Sequence, residues 1–149
     1  MIRPFEMRDL NAVLDIWLRT TIAAHPFIEK EHFLAGFQTF QEDHLLRSQS
    51  QVYEIEGKVV GFVSIKQDMT VTAINVDFPY RKSGIGEALM NRLIDKFQQI
   101  SVKCYMENID ALGFFSKLGF EAVKTETDPE TNQEVIILTI DGQRQQKRS

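Results

Sequence analysis

One stretch, residues 76 to 90, constrains the fold of this chain more than any other. An apolar, β-branched run (residues 71 to 76) passes a proline and two closely spaced glycines and enters a pattern of helical spacing. The first amide groups of a helix have no partner within it, and the helix dipole is positive there. Gly84 and Gly86 let a ligand approach the main chain without meeting a Cβ atom. The stretch predicts strand, glycine turn and helix, with a phosphate or pyrophosphate bound near Gly84.

Length and composition narrow the class of protein. The 149 residues suffice for one domain with a core but not for two, so we expect a single domain over residues 1 to 140 and a polar, basic, disordered tail over residues 141 to 149. The net charge of -4 argues against a general nucleic-acid binder. Neither a signal segment nor a membrane-spanning run is visible, so we expect a cytoplasmic protein with no membrane partner.

Apolar periodicity predicts the first half of the chain. A short strand (Ile2–Pro4) precedes a helix that starts near Asp9 and ends before Pro26. Three phenylalanines at helical spacing mark a second helical region, which Gly36 should bend or break. These aromatic residues form either core or the wall of a substrate cleft, and core is the favoured interpretation.

The strand pattern predicts the sheet. The expected strands after the first are residues 51–55, 59–65, 70–76, 102–106, 120–125 and 134–140. Tight turns between strands two, three and four indicate an antiparallel meander, whereas the helix between strands four and five favours parallel pairing. With a short helix at residues 108 to 118, the prediction is a mixed α+β fold: a mostly antiparallel sheet of about seven strands and about four helices.

Two segments carry a family resemblance. The glycine turn reads Arg81-Lys82-Ser83-Gly84-Ile85-Gly86, and the later helix reads Asn108-Ile109-Asp110-Ala111-Leu112-Gly113-Phe114-Phe115-Ser116-Lys117-Leu118-Gly119-Phe120. They resemble, in the right order and spacing, the motifs Arg/Gln-x-x-Gly-x-Gly/Ala and Asn-x-x-Ala-x-x-Phe-Tyr-x-x-x-Gly-Phe of GCN5-related N-acetyltransferases (the GNAT superfamily). The resemblance covers residues 2 to 140, and residues 16 to 28 are similar to small bacterial members that acetylate lysines or small amines.

The resemblance implies a donor and a reaction. Acetyl-CoA would be the co-substrate, and a primary amine (a protein lysine, a protein N-terminus or a small amine) would attack the thioester directly. The pyrophosphate would lie on the amides of the glycine turn, and the pantetheine on strand four, where strands four and five splay apart. The implied cofactor-binding residues are Ile74, Asn75, Val76, Arg81, Lys82, Ser83, Gly84, Ile85, Gly86, Asn108 and Phe115.

The proton transfers are marked less clearly. The family's tyrosine acid is replaced by Phe115, which has no proton to give, so Tyr105 on strand five is the candidate substitute. A CoA thiol can also leave unaided. His25, in the loop after the first helix, is the candidate base because imidazole titrates near neutrality. The alternative for His25 is a loop histidine that packs or contacts substrate. Strand four offers only the neutral Asn75 instead of a glutamate, and Asp77 at the end of the strand is expected to cap the turn.

The remaining histidines, the cysteine and the acidic residues have simpler predicted roles. His32 and His44 should be solvated, and the histidines lack metal-ligand spacing, so no metal is predicted. Cys104 should be a buried strand residue rather than a nucleophile. The acidic balance favours a cationic acceptor near a cleft mouth with acidic side chains, and the loop at residues 127 to 132 would border the acceptor. The acidic candidates are Glu29, Glu31, Glu42 and Asp43.

Two rival functions stay open. Phe115 suggests a catalytically weak acyl-CoA-binding or sensing module. A nucleotide-binding α/β protein is the other rival, but the chain lacks both a Gly-Lys-Ser/Thr loop and a Gly-x-Gly-x-x-Gly pattern. The pattern does not choose between a monomer and a homodimer, nor does it name the acceptor.

Overall fold

The computed structural model describes residues 1 to 142 and contains the predicted elements. The strands are β1 (Ile2–Pro4), β2 (Gln49–Ile55), β3 (Lys58–Ile65), β4 (Thr70–Val76), β5 (Gln99–Tyr105), β6 (Glu121–Thr127) and β7 (Glu134–Asp141). The helices are α1 (Leu10–Ala24), α2 (Lys30–Ala35), α3 (Phe37–Thr39), α4 (Ile85–Lys96) and α5 (Ile109–Leu118). These elements confirm the mixed α+β class. The chain divides into two units, residues 1 to 91 and the described residues from 92 onward.

The first unit contains an antiparallel meander. β1 pairs with β2, β2 with β3 and β3 with β4, all antiparallel. The β2–β3 turn has Glu56 at φ 50° and Gly57 at φ 80°, and two such left-handed residues match the right-handed twist of a hairpin. Asp68 Oδ1 accepts the Thr70 N–H at 3.0 Å and so closes the next turn. The predicted meander is confirmed.

The core of the first unit lies between α1 and the sheet. Val13, Leu14 and Ile16 of α1 are buried with strand residues from β2, β3 and β4. Trp17 stacks on Phe40 with ring centroids 4.1 Å apart and an angle of 3° between the planes. Phe40 is 3% exposed, so the interpretation of the helical phenylalanines as core is confirmed there.

Gly36 separates α2 from α3, as the sequence predicts. The chain then continues as one π-helical turn over Phe40–Leu45, and both of its end residues are buried. Because the region divides into short pieces, the described residues hold five α-helical segments instead of about four. No helix in residues 1 to 142 is long and apolar enough to cross a membrane.

The second unit is built on three strands and α5. β7 pairs antiparallel with both β5 and β6. Asn108 caps α5 by accepting the Ala111 N–H, and Gly119 ends the helix at φ 106°, a left-handed conformation that glycine adopts readily. Asp141, the first residue of the predicted tail, belongs to β7, and residues 143 to 149 of that tail lie outside the described residues.

Candidate active site

The glycine turn begins with a cap at the end of β4. Asp77 Oδ1 accepts the Phe78 N–H at 2.9 Å, and the Asp77 carbonyl accepts the Tyr80 N–H at 2.9 Å. The Ser83 hydroxyl donates to the Tyr80 carbonyl. The prediction that Asp77 caps this turn is confirmed, and these bonds define the path of the chain into α4.

The first turn of α4 has the geometry of an anion site. Its first hydrogen bond runs from the Ala88 N–H to the Gly84 carbonyl at 3.0 Å, so the amides of residues 85 to 87 precede the helical hydrogen bonds. Gly84 has φ 88°, and a Cβ atom built there would meet no atom within 4 Å. Arg81 and Lys82 are exposed beside it. Amides, helix dipole and two cations all favour a bound anion.

A salt bridge ties α1 to the same turn. Arg19 contacts Asp77 at 3.0 Å and Asp15 at 2.8 Å, and its guanidinium lies 5.7 Å from the Phe78 ring centroid. The Arg19 hydrogen bond, opposed by burial, holds the pKa of Asp77 below its usual value. Asp77 is therefore an anion at neutral pH. Sequence reasoning missed Arg19, because only the tertiary structure brings it to a residue 58 positions away.

Two of the predicted cofactor-binding residues lie on β4 with their backbone groups directed away from β3. The Asp77 N–H donates to the Val60 carbonyl at 2.8 Å, and the next pairs are Gly61 with Val76, Phe62 with Asn75 and Val63 with Ile74. Hydrogen-bonded and non-hydrogen-bonded pairs alternate along an antiparallel ladder. The backbone N–H and C=O groups of Ile74 and Val76 consequently face away from β3.

A polar cluster joins β4 to the last turns of α1. Asn75 Nδ2 lies 2.8 Å from Thr20 Oγ1 and 3.2 Å from Thr21 Oγ1. The Thr20 hydroxyl donates to the Ile16 carbonyl at 2.6 Å. Both threonines are buried. Sequence reasoning missed them as site residues, although two adjacent hydroxyls on the apolar side of α1 were a visible signal.

The candidate base His25 follows α1 directly. Its Nδ1 lies 2.7 Å from the Thr21 carbonyl, and because a carbonyl can only accept, Nδ1 carries the proton. The half-buried ring packs against Phe27 and Phe33, with centroids 5.6 and 5.5 Å away. Burial lowers the pKa of His25, partly offset by the Thr21 hydrogen bond. The neutral ring has its lone pair on Nε2, as a general base requires.

In the second unit, Tyr105 is held by an acidic loop residue. Its hydroxyl donates to Asp128 Oδ2 at 2.8 Å, and Asp128 also accepts from Thr131 Oγ1 at 3.1 Å. Burial and Asp128 raise the pKa of Tyr105 to about 12. Such a phenol is a weaker acid than an ordinary tyrosine, which lowers its tendency to protonate a leaving thiolate.

The other predicted residues of the second unit have clear structural settings. Asn108 caps α5, as described above. Phe115 is 4% exposed and packs edge-on against Phe114 and Phe120, with centroids 5.3 and 5.4 Å away. Cys104 is buried, and burial raises its pKa to about 11, so it is not a thiolate at neutral pH. The prediction of Cys104 as a buried strand residue is confirmed.

The two remaining histidines are less exposed than expected. His32 is half-buried with its ring 5.1 Å from that of Phe33. His44 is also half-buried, and its Nδ1 is a buried atom with no hydrogen-bond partner in residues 1 to 142. The expectation of a solvated side chain is wrong for His44, whose ring lies 6.4 Å from that of Phe40 and has a buried Nδ1. His32 keeps a partly exposed side chain. Within the described part of the chain, no group of three potential ligands could hold a metal ion.

A groove of about 410 Å³ runs beside the N-terminal half of α1. Its charged lining consists of Arg3, Arg8, Asp9, Asp15, Arg19, Glu54, Lys58 and Asp77, four basic and four acidic residues. Arg3 pairs with Asp9 and Glu54, and Arg19 with Asp15 and Asp77. Because its charges neutralise one another, the groove is a weaker anion site than the glycine turn.

Comparison with known proteins agrees with this geometry. The model of the acetyltransferase (GNAT) family matches residues 10 to 120. The peptidyl-lysine N-acetyltransferase YiaC of Escherichia coli (strain K12) is 30% identical over 139 residues, 93% of this chain and 95% of that protein. The solution structure of apo YjaB from Escherichia coli has a TM-score of 0.78 at 20% identity, over 93% of this chain and 95% of that one. YncA from Salmonella typhimurium, solved with its cofactor acetyl-CoA, has a TM-score of 0.66 at 18% identity, over 95% of this chain and 92% of that one.

Proposed function

The chain belongs to the GNAT acetyltransferase family, and on that premise we propose that it moves the acetyl group of acetyl-CoA onto the ε-amine of a protein lysine. The main support for acetyl-CoA as the donor is Gly84 at the start of α4, beside Arg81 and Lys82. Its backbone is left-handed, and the space around its Cβ position is empty. The lysine acceptor is supported by the similarity to a peptidyl-lysine acetyltransferase across nearly the whole chain.

The donor site follows from the backbone of the first unit. The amides from Lys82 through Gly86 bind the CoA pyrophosphate, with the Arg81 side chain beside them. The backbone groups of Ile74 and the carbonyl of Val76, which face away from β3, bind the pantetheine amides. Main-chain pairing of this kind works like adding a strand and tolerates side-chain changes. Asn108 and Phe115 stay predicted CoA contacts on the strength of their motif.

The reaction is a direct attack. The amine nitrogen bonds to the acetyl carbon, the carbon–sulfur bond breaks, and its electron pair leaves with the thiolate. His25 Nε2 accepts the amine's surplus proton, and the Val76 N–H donates to the oxyanion that forms on the acetyl carbonyl. Because Tyr105 has a pKa of about 12 and is bonded to Asp128, we propose that the thiolate departs without it and takes its proton from water.

A sensing module is the alternative that Phe115 favours. The buried phenyl ring cannot act as an acid, so a protein with this residue could bind acyl-CoA and turn over slowly. The two functions differ in one measurable quantity. An acetyltransferase releases CoA at a rate that depends on the amine, whereas a sensor binds CoA and shows no amine-dependent release.

The decisive assay measures CoA thiol release from acetyl-CoA with lysine peptides, N-terminal amines and small amines, and locates the product acetyl group by mass spectrometry. We expect turnover with the lysine peptides at the ε-amine. Tight CoA binding without turnover on any amine would replace the enzyme by the sensor. Acetylation confined to α-amines or small amines would overturn the lysine assignment alone.

The donor site has its own variant. Gly84→Glu should weaken CoA binding at least a hundredfold, because a carboxylate would meet the pyrophosphate at close range. Gly57→Glu is a matched control: Gly57 also has positive φ and open space around its Cβ position, but it lies in the β2–β3 hairpin. Unchanged CoA affinity in folded Gly84→Glu would contradict the placement of the pyrophosphate.

A further inference from the structure

We propose that the side-chain oxygen of Asn75 is the hydrogen-bond acceptor that holds the attacking amine, a substrate contact for a neutral amine. The proposal rests on the proposed function, since it names a residue of that same reaction. It gives a role to the β4 position where sequence analysis found a neutral side chain in place of a glutamate.

The hydroxyl network determines which way the Asn75 amide faces. The Thr20 hydroxyl gives its only proton to the Ile16 carbonyl at 2.6 Å, so toward Asn75 it can act only as an acceptor. The Asn75 atom 2.8 Å from Thr20 Oγ1 must then be the NH₂ nitrogen. Its second hydrogen points to Thr21 Oγ1 at 3.2 Å. The carbonyl oxygen Oδ1 is thereby turned away from both threonines.

Oδ1 is also within reach of a ligand. Asn75 is half-buried, and its two side-chain hydrogen bonds to Thr20 and Thr21 both come from Nδ2. In residues 1 to 142, the buried side-chain atom without a hydrogen-bond partner is His44 Nδ1. Asn75 Oδ1 is not such an atom, so it is open to solvent. An acceptor with no protein donor that is not sealed from solvent is suited to an N–H group of a ligand.

The neighbouring residues supply the rest of the reaction. Val76 follows Asn75 in β4, and its N–H, the proposed oxyanion donor, faces away from β3. Asn75 extends instead from the sheet face that α1 covers, one residue (about 3.3 Å) along the strand. His25 shares Thr21 with Asn75, through the Thr21 carbonyl. His25 and Asn75 are therefore both bonded to Thr21 in the last turn of α1, and Val76 is the next residue of β4.

The chemistry of an amide explains the preference for a neutral amine. A carboxylate at this position would stabilise an ammonium ion and raise its pKa, whereas an amide oxygen accepts a hydrogen bond without adding charge. The amine must lose a proton before it can attack, so a neutral acceptor keeps that loss easier. The ionisable groups nearby are His25 and Arg19 from the α1 side and Asp77 at the end of β4.

The test compares Asn75→Asp, which keeps the shape of the side chain, with Asn75→Ala. The readouts are the pH profiles of kcat and kcat/KM for a lysine peptide, the affinity for CoA and the thermal midpoint. Asn75→Asp should move the amine limb of the kcat profile, which reports the bound amine, up by about one pH unit and lower kcat about tenfold at pH 7. Asn75→Ala should lower kcat/KM about tenfold at every pH, mainly through KM. Asn91→Asp, the same change at an exposed site on α4, should leave the profile unchanged.

The outcomes separate this inference from the proposed function. Turnover of the wild type with an unmoved amine limb in Asn75→Asp and a full rate in Asn75→Ala would overturn the role of Asn75 alone. A lower thermal midpoint in Asn75→Asp, with its pH profile unchanged, would likewise show that Asn75 has only a structural role. Absence of turnover in the wild type with every amine would overturn the proposed function and, with it, this inference.

Discussion

The state of a single imidazole controls the proposed reaction. Because burial lowers the pKa of His25 below its ordinary value near 6.5, the ring is neutral at pH 7, as a base must be. In the wild type, the limb of the profile that reports protonation of His25 should therefore lie below about pH 6.5. His25→Ala should lower kcat/KM roughly a hundredfold and remove this acid limb. The measurement is the pH profile of kcat/KM with a lysine peptide.

His32 provides the control for that prediction. It is half-buried against Phe33, as His25 is, but it lies on α2 and has no proposed part in the reaction. His32→Ala should keep the acid limb and a rate within about threefold of the wild type. An acid limb that survives in His25→Ala would show that another group accepts the proton.

Asp77 has two structural roles. It caps the turn that leads to the glycines and pairs with Arg19. Asp77→Ala should weaken CoA binding about tenfold, because the amides of the turn are no longer held in place, and should lower the free energy of unfolding by about 1 to 2 kcal/mol. Calorimetric titration with CoA and chemical unfolding check the two effects.

Asp15→Ala is the matched control for Asp77→Ala. It removes the other partner of Arg19. The Asp15 side chain is 62% exposed, and an exposed ion pair contributes at most about 1 kcal/mol. CoA affinity should not change. If both variants weaken CoA equally, the effect belongs to Arg19 and not to the cap.

At the scale of elements, α5 carries the departure from the family motif. Phe115 is enclosed by Phe114 and Phe120, so a hydroxyl added by Phe115→Tyr enters an aromatic cluster. We expect a loss of about 1 kcal/mol in the free energy of unfolding. We expect kcat to change less than threefold, since a thiolate leaves without an acid. A tenfold rise in kcat would show instead that the missing tyrosine limits turnover.

The loop between β6 and β7 is the second element whose role can be measured. It is closed by the Asp128 N–H donating to the Gln133 carbonyl at 2.8 Å, and Tyr105 binds the same Asp128 through its side chain. Replacing Tyr105 by phenylalanine removes the hydroxyl and, with it, the hydrogen bond to Asp128. Tyr105→Phe should therefore loosen the loop and raise KM for the peptide more than it lowers kcat. A hundredfold loss in kcat would support Tyr105 as the acid.

The pH dependence of stability belongs to the whole molecule. Arg3 in β1 contacts Asp9 at 2.8 Å and Glu54 of β2 at 3.2 Å, and the Asp9 side chain is only 5% exposed. The Arg3 hydrogen bond, opposed by burial, lowers the pKa of Asp9. A depressed pKa in the folded state adds stability that is fully present above the unfolded value, about 3.9, and is lost as the pH falls through the folded value.

Asp9→Asn tests this network. The change should lower the free energy of unfolding by about 2 kcal/mol at pH 7, because Arg3 loses a charged partner in a half-buried site. The difference from the wild type should shrink as the pH falls below about 4, since Asp9 is then protonated first in the unfolded chain and, at lower pH, in the folded protein. Urea unfolding at pH 7 and pH 3 measures both values. A difference that stays constant with pH would contradict the role of the charge.

Local patterns determined the elements of this protein. Alternation and helical spacing are properties of neighbouring residues, so β4, the glycine turn, α4 and the break at Gly36 could all be predicted. The same holds for the cap at Asp77 and for the burial of Cys104. The motifs in the glycine turn and α5 also indicated the family, because a main-chain anion site needs glycine at particular positions.

Only the tertiary structure decided which side chains meet. Arg19 with Asp77 and Asn75 with Thr20 join residues more than fifty positions apart, and no local period encodes such pairs. The burial of His44 depends on how the π-helical turn packs, which the sequence pattern did not reveal. The glycine turn at residues 81 to 86 could be read from the chain because its chemistry lies in the backbone. The partners of Asn75 and His25 required the fold, because their chemistry depends on side chains brought together from distant segments.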